Sequence, residues 1–501
     1  MKQNQVKWGA VLSYILIIIN TLYGLFLTPY ILGQLGEAEY GVYKTISSFT
    51  SALMVLDIGI GGTMMRYIAR FRADNEDEKI PNYIAMSFIQ AAIICGIVAV
   101  ISGGLFFFLD TIYSNGLTSA ELVRAKQLYI FLALGVIFHI FENAVNGVIT
   151  GYNCFIFANG VKVIRIGTRA LALVILLFFF KNSLVIVLVD LFITIVLILI
   201  ELLYIRFALR VTIRFSHWEG SLFKESFRYT MLLFITTIAA QINGNLDNVV
   251  IGAIVGSAAV AVYSMGLLIF NMFEQLSVAL SGVMLPTVTQ TLKGDDEKYT
   301  ATQKLIVRVG RIQFILLGAA LSGFIVLGKP FIELWLGAGF EDVYIIVLIL
   351  MVPSLLELCV NVCLSVLRAE NKLLFRTVIL LATTALNAIV TIVGTYFWNY
   401  YAAAIGTALS FLIGSVLIMN VYYHRKLGFN MLKMYRNIIG KTWICLVLAG
   451  AGAYIGSLFT SHAGTKMIIG VLAFVIVYAG TLWMLGLSSE EKAQILKRGK
   501  R

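Results

Sequence analysis

The sequence predicts an all-α membrane protein of about fourteen transmembrane helices, set out as two six-helix lobes plus two C-terminal helices. Three observations carry that reading. Of the 501 residues, 60% are apolar and 13% are charged, and the mean hydropathy is +0.91; a soluble domain is nearer half apolar and a quarter charged. The apolar runs extend for roughly 20–28 residues, and about 20 helical residues cross the hydrocarbon of a bilayer. The ~10-residue alternation of a membrane β-barrel is absent, so backbone groups in lipid must be satisfied inside helices.

Taken in order, the spans fall near residues 10–32, 41–65, 83–109, 127–149, 158–181, 184–205, 229–254, 258–285, 305–328, 342–366, 375–397, 401–423, 441–460 and 467–486. The first follows a basic start (Lys2, Lys7) but is too long for a signal peptide and has no small-x-small cleavage site after it, so it reads as a retained span. An even number of spans puts both termini on one side. That side, with the adjoining span ends, carries 32 of the 38 Lys and Arg; the other carries Lys44, Arg124, Lys126, Lys181, Lys329 and Lys466. Basic residues stay cytoplasmic during insertion, so both ends are expected in the cytoplasm of a multi-pass cell-membrane protein. The net charge of +12 is then a mark of topology, and no nucleic acid partner is expected. The tail from Ser488 to Arg501 ends in four basic residues around one glycine; it reads as positive-inside charge, with contact to anionic lipid as the alternative. The five cysteines sit in or beside apolar segments and outline neither a disulfide framework nor a metal site.

A weak repeat organises the chain. Gly36 to Tyr43 in the first hairpin has the spacing of Gly256 to Tyr263 in the hairpin between spans seven and eight, offset by 220 residues; Gly62 and Gly282 keep that offset. An even number of spans per repeat gives halves of parallel orientation, and transporter sites lie between such halves. The expected division is 1–220 and 221–430 as six-span lobes, with 431–501 as two added helices and a basic tail.

Polar residues inside the spans are the candidate site. Lys162, Arg165 and Arg169 in the fifth span are spaced i, i+3, i+7, within about 60° of one another. Lys162 is placed to snorkel to the headgroups. Arg169 lies about 16 Å into the span, where an ionisable group faces a bundle interior or a wet cavity. His139, Glu142, Asn143 and Asn146 share a face of the fourth span. Gln241, Asn245 and Asn248 form a stripe on the seventh, with Asn243 and Asp247 nearly opposite; Asn271, Glu274 and Gln275 group on the eighth. Interhelical hydrogen bonding explains any one stripe; four together call for a shared polar interior. Asp57, alone in the second span, reads either as an ion or proton site or as the counter-charge of an arginine. His139 beside Glu142 reads as a buried histidine or as a proton relay.

Catalytic signatures are missing. The chain has no Gly-Lys-Ser/Thr phosphate loop, no zinc-type His/Glu pairing, and no connection longer than about 25 residues that would fold as a catalytic domain. No enzyme activity, catalytic residue, cofactor or metal is expected.

The opening carries Asn20-Thr21, then Leu27-Thr28-Pro29-Tyr30-Ile31-Leu32-Gly33, Leu35-Gly36, Tyr40-Gly41 and Tyr43. It resembles the Wzx-type polysaccharide flippases, the polysaccharide-transporter branch of the multidrug/oligosaccharidyl-lipid/polysaccharide exporter superfamily. Asp247, Ile251-Gly252, Gly256 and Tyr263, with Pro286 closing the eighth span, look like the counterpart in the second half. The resemblance implies two lobes around a central cationic cavity, cycling between inward-open and outward-open states in a bacterial cell membrane. It implies an undecaprenyl-diphosphate-linked oligosaccharide as cargo, and other polysaccharide-assembly proteins as partners beside the membrane lipids. Arg165, Arg169 and Lys162 would meet the diphosphate, to which arginine offers forked contacts, and Asn20, Gln241, Asn245, Asn248, Asn271, Glu274 and Gln275 the polar remainder. Asp57, Asp247, His139 and Glu142 would be ion sites or counter-charges. Asn20 stands mid-helix where the multidrug branch has an acid, which removes the usual seat for proton or sodium coupling.

Two other classes stay open at this point. A cation-coupled multidrug antiporter shares the architecture and wants an acidic, aromatic cavity. A membrane glycan polymerase or ligase wants a large outer loop, which the sequence lacks.

Overall fold

A computed structural model describes residues 2–56, 59–216, 218–281, 284, 288, 291–292, 300–370, 372–460, 462–488 and 491–492, with side chains outside the description at 2–11, 13–14, 17–18, 55–56, 229, 231–244 and 279–280. Among the described residues there are helices and no strand. The chain divides into two compact units, Met1–Ala261 and Val262–Arg501.

The first unit holds α1 (Lys2–Leu35), α2 (Glu37–Ser51), α3 (Ile60–Ala73), α4 (Ile80–Tyr113), α5 (Ser119–Gly151), α6 (Phe155–Phe179), α7 (Ser183–Leu203), α8 (Gly220–Ile254) and the start of α9 (Ser257–Ser281). The second holds the rest of α9, then α10 (Thr300–Leu336), α11 (Asp342–Cys359), α12 (Val362–Ala369), α13 (Leu373–Trp398), α14 (Tyr401–Ser410), α15 (Met419–Leu427), α16 (Met431–Ile439), α17 (Thr442–Leu458) and α18 (Ala463–Thr481). The units divide inside α9, and α8 packs on α2, α3 and α4.

Among the described residues, each stretch expected to span the membrane lies on helix, but two are broken. The second runs as α2, a 3-10 turn at Ala52–Leu56 and then α3, with Gly59 in the left-handed region at φ 63°. The tenth runs as α11 and α12 and is interrupted at Val360. Among the described residues nine helices are long and apolar enough to cross a bilayer, or ten if α16 and α17, bent by 41°, are one span. Helix α6 is not among them, because every eighteen-residue window in it contains Lys162, Arg165 and Arg169.

Apolar side chains are buried and exposed alike, as expected where the surroundings are hydrocarbon rather than water. Met64, Ile68, Tyr83, Ile84 and Val148 pack α3, α4 and α5 together, while Phe107 and Leu374 are each 78% exposed. Lipid tails are as apolar as leucine, so helix association depends on close packing at small residues. A Cβ on Gly147 would lie 2.6 Å from the Gly61 carbonyl oxygen. Only glycine lets α3 and α5 cross at that separation.

The repeated hairpins keep one local geometry. Gly36 has φ 79° and Gly256 has φ 125°, both in the region that favours glycine. The Tyr40 amide donates to the Gly36 carbonyl at 3.1 Å and the Val260 amide to the Gly256 carbonyl at 3.4 Å. Both hairpins meet at one end of the first unit, where Gly41 backs onto the Ser257 carbonyl and the Ser257 hydroxyl donates to Glu121. Gly282, the other half of the second repeated pair, is outside the described residues.

Candidate functional site

The polar stripes of the fourth and fifth spans meet a third stripe on the sixth. Asp190, Thr194 and Glu201 of α7 are spaced i, i+4, i+11, within about 40° on a helix. Helices α6 and α7 run antiparallel, so Arg169 reaches Asp190, and Arg165, one turn back, reaches Thr194, one turn on. Arg169 is bidentate: Nη2 donates to Asp190 Oδ2 at 2.8 Å and Nε donates to Oδ1. Its Nη1 donates to the Tyr23 hydroxyl of α1, and the guanidinium carbon sits 5.2 Å from the centre of the Tyr23 ring, a cation–π contact. Arg165 Nη2 donates to Glu142 Oε2 at 2.7 Å and to Thr194 Oγ1 at 2.8 Å. Helices α5 and α7 run parallel, and one turn beyond this junction Asn146 donates to Glu201 at 3.1 Å.

These groups border a cavity of about 320 Å³ among α2, α5, α6 and α7, lined by His139, Arg165, Arg169, Asp190 and Thr194 together with Ser47 and Thr50 of α2. Its size is at the lower end of small-ligand sites, about 300–1,000 Å³. Both arginines carry a carboxylate partner, so the two pairs are formally neutral. They differ in what remains. Arg169 has all its groups engaged, whereas Arg165 leaves Nε and Nη1 without a hydrogen bond among the described residues. An anion entering the cavity finds those donors and competes with Glu142 for the rest.

The other predicted residues are placed as follows. Lys162 is exposed on α6 and makes no ion pair among the described residues; Asn20 is exposed on α1. His139 Nδ1 lies 3.3 Å from Asn143 Nδ2 while Glu142 turns to Arg165, so the pairing drawn from His139 to Glu142 is redirected by the cation on the next helix. Asn248 is buried and donates to Ser48 of α2 at 3.0 Å, an interhelical bond away from the cavity. Asp247 is buried and Asn245 half-buried on α8; the Gln241 side chain is outside the described residues. Asn271 and Gln275 are exposed and Glu274 half-buried on α9 in the second unit. Asp57 is outside the described residues, and the acid that holds Arg169 is Asp190. Sequence reading passed over Asp190, Glu201 and Tyr23. The acidic stripe at i, i+11 was there to be found; Tyr23 carried no such signal, since its partner is set by the packing of α1 on α6.

A family described as polysaccharide biosynthesis protein matches residues 7–292, more than half of the chain. The chain belongs to that family. The uncharacterized membrane protein EpsK of Bacillus subtilis (strain 168) is similar at 20% identity over 96% of this chain and 95% of its own. A putative O-antigen transporter of Salmonella typhi is 30% identical over 106 residues, 21% of this chain and 23% of that one. Among solved structures, the inward closed conformation of the lipid II flippase MurJ superposes with a TM-score of 0.72 at 12% identity, covering 95% of this chain and 98% of that one. The chain therefore shares the fold of that solved structure.

Proposed function

We propose that this family member flips an undecaprenyl-diphosphate-linked oligosaccharide from the inner to the outer leaflet of a bacterial cell membrane, for surface polysaccharide assembly. Both termini face the cytoplasm in this reading, and lobes 1–220 and 221–430, with 431–501 appended, rock to expose the cavity to each side in turn. The observation that carries it is the polar cavity with two guanidiniums at membrane depth, in a chain of a polysaccharide biosynthesis family. A diphosphate and its sugars must cross about 30 Å of hydrocarbon, while the prenyl tail stays in lipid. The free donors of Arg165 compensate the hydration that the diphosphate loses, and exchange with the internal carboxylates keeps the empty cavity neutral. The names of the O-antigen transporter and the lipid II flippase agree with such a cargo. A cation antiporter wants unpaired acids, whereas the acids nearest the cavity, Glu142 and Asp190, are each engaged by arginine.

The test is depletion of the protein in the cells that natively produce it. The expected result is loss of surface glycan with lipid-linked precursor accumulating in the inner leaflet, restored by the wild-type chain. Normal glycan export in fully depleted cells, with no accumulated precursor, sinks the proposal.

A further inference from the structure

The second unit contains a basic site that transport through the first unit's cavity does not use. A cavity of about 670 Å³ is bordered by Lys304 and Arg308 at the start of α10, Lys433 and Asn437 of α16, and Ser488 beyond α18. A second, of about 560 Å³, shares Asn437 and Ser488 and adds Arg436, Lys441 and Leu485. The walls are tied together by one side chain. Arg311 Nε donates to Glu491 Oε1 at 2.7 Å, Nη1 to the Asn437 carbonyl at 3.3 Å, and Nη2 to the Gly486 carbonyl. Three segments distant in sequence are thus held at one guanidinium.

That clamp also engages Glu491, the one carboxylate among the described residues lining either cavity. Lys304, Lys433, Arg436 and Lys441 border the same concave surface, and Lys304 and Lys433 make no ion pair among the described residues. A concavity lined by one sign of charge focuses field on an anion. Apolar surface belongs to its wall: Leu485, which borders the second cavity, is 46% exposed. Helix α16 packs Met431, Met434 and Ile438 into the core of the second unit, which turns Lys433 and Arg436 outward. A free anion has no use for the apolar flank.

We propose that these adjoining cavities hold the phosphodiester headgroup of an anionic phospholipid, with its acyl chains along Leu485. Lys304 and Lys433 supply charge-assisted hydrogen bonds to the phosphate oxygens, and the bound headgroup fixes the junction where α16 bends into α17. Basic pockets between membrane helices select anionic headgroups on this principle.

The experiment uses the full chain purified in neutral detergent and reads its melting temperature. Added phosphatidylglycerol is expected to raise it by about 3 °C, since a ligand that binds only the folded state stabilises it. Phosphatidylcholine and millimolar inorganic phosphate are expected to leave it unchanged. K304Q/K433Q should melt near the wild type without lipid and lose the phosphatidylglycerol shift. Lys433→Gln alone, a change on an exposed face, should halve that shift should the double variant fold poorly. R425Q/K426Q, which neutralises two exposed cations at the end of α15, should keep it whole. A full shift in K304Q/K433Q or in Lys433→Gln overturns the site, as does equal loss in R425Q/K426Q. A shift of the same size with inorganic phosphate overturns the lipid as its occupant.

Discussion

Arg165 and Glu142 form the hinge of the polar network: Nη2 of the first lies 2.7 Å from Oε2 of the second, while Nε and Nη1 of the same guanidinium have no protein partner among the described residues. The pair is half held by the protein and half available. Removing one partner strands the other in a site where the Glu142 side chain is 10% exposed. Arg165→Gln and Glu142→Gln are each expected to destabilise the protein by about 3 kcal/mol, read as the melting temperature in detergent. The double variant should recover most of that loss. If Arg165 also meets the cargo, the double variant stays deficient in glycan export at normal abundance; wild-type export from it would remove Arg165 from the substrate path.

Arg169 and Asp190 make the complementary case, because no guanidinium nitrogen of Arg169 is left over. Arg169→Gln should lower protein abundance, and Arg169→Gln with Asp190→Asn should restore it. Arg169→Lys keeps a point charge without the fork and should fall between. Abundance is measured by immunoblot of membranes. A single Arg169→Gln variant at wild-type abundance and with no glycan export would instead assign this arginine to the cargo.

Gly147 and Gly61 set how closely α5 and α3 approach. Gly147→Ala inserts a methyl 2.6 Å from the Gly61 carbonyl oxygen, and the backbone cannot turn aside as a flexible side chain would. A loss of about 1–3 kcal/mol is expected from overpacking. Gly96→Ala, at a position with open space around its Cβ, is the control and should melt with the wild type.

The charge asymmetry predicts the orientation. Cysteines placed at Asn115 and His462 on a cysteine-free background should react with an impermeant thiol reagent in intact cells. Those placed at Asn75 and Ser216 should react only after permeabilisation. All four positions are exposed, so protection reports the membrane and not burial. Labelling of the Ser216 position from outside reverses the topology and the direction of transport with it.

The Arg311 clamp gives a pH dependence at the C-terminal end. Burial pushes the Glu491 carboxyl up, but the Ser488 amide and hydroxyl and the Arg311 guanidinium outweigh it and hold the group below the usual carboxylate range. A depressed carboxyl contributes stability above its unfolded value, about 4.3, and loses it as pH falls through the lower folded value. Hydrogen exchange at 486–488 and 491–492 should therefore be equally protected at pH 7 and pH 5 and lose protection below about pH 4. Glu491→Gln should be less protected at pH 7 and show no such transition.

Composition and run length by themselves determined that this is a helical membrane protein, because hydrocarbon admits only segments that satisfy their own backbone. The spacing of Lys162, Arg165 and Arg169 put three cations on one face of α6 for the same reason: 3.6 residues per turn is a property of a single helix. The repeated glycines were legible too, since Gly36 and Gly256 hold backbone angles that other residues resist. Tertiary structure alone decided that Arg169 meets Asp190 and Tyr23, that Asn248 bonds Ser48, and that Arg311 gathers three segments. It also broke the second span at Gly59, inside what hydropathy reads as one continuous run. Periodicity states which way a side chain faces along its own axis; it says nothing of which helix stands opposite or at what depth. Those follow from where small residues let two backbones close together, and only the packed bundle contains that information.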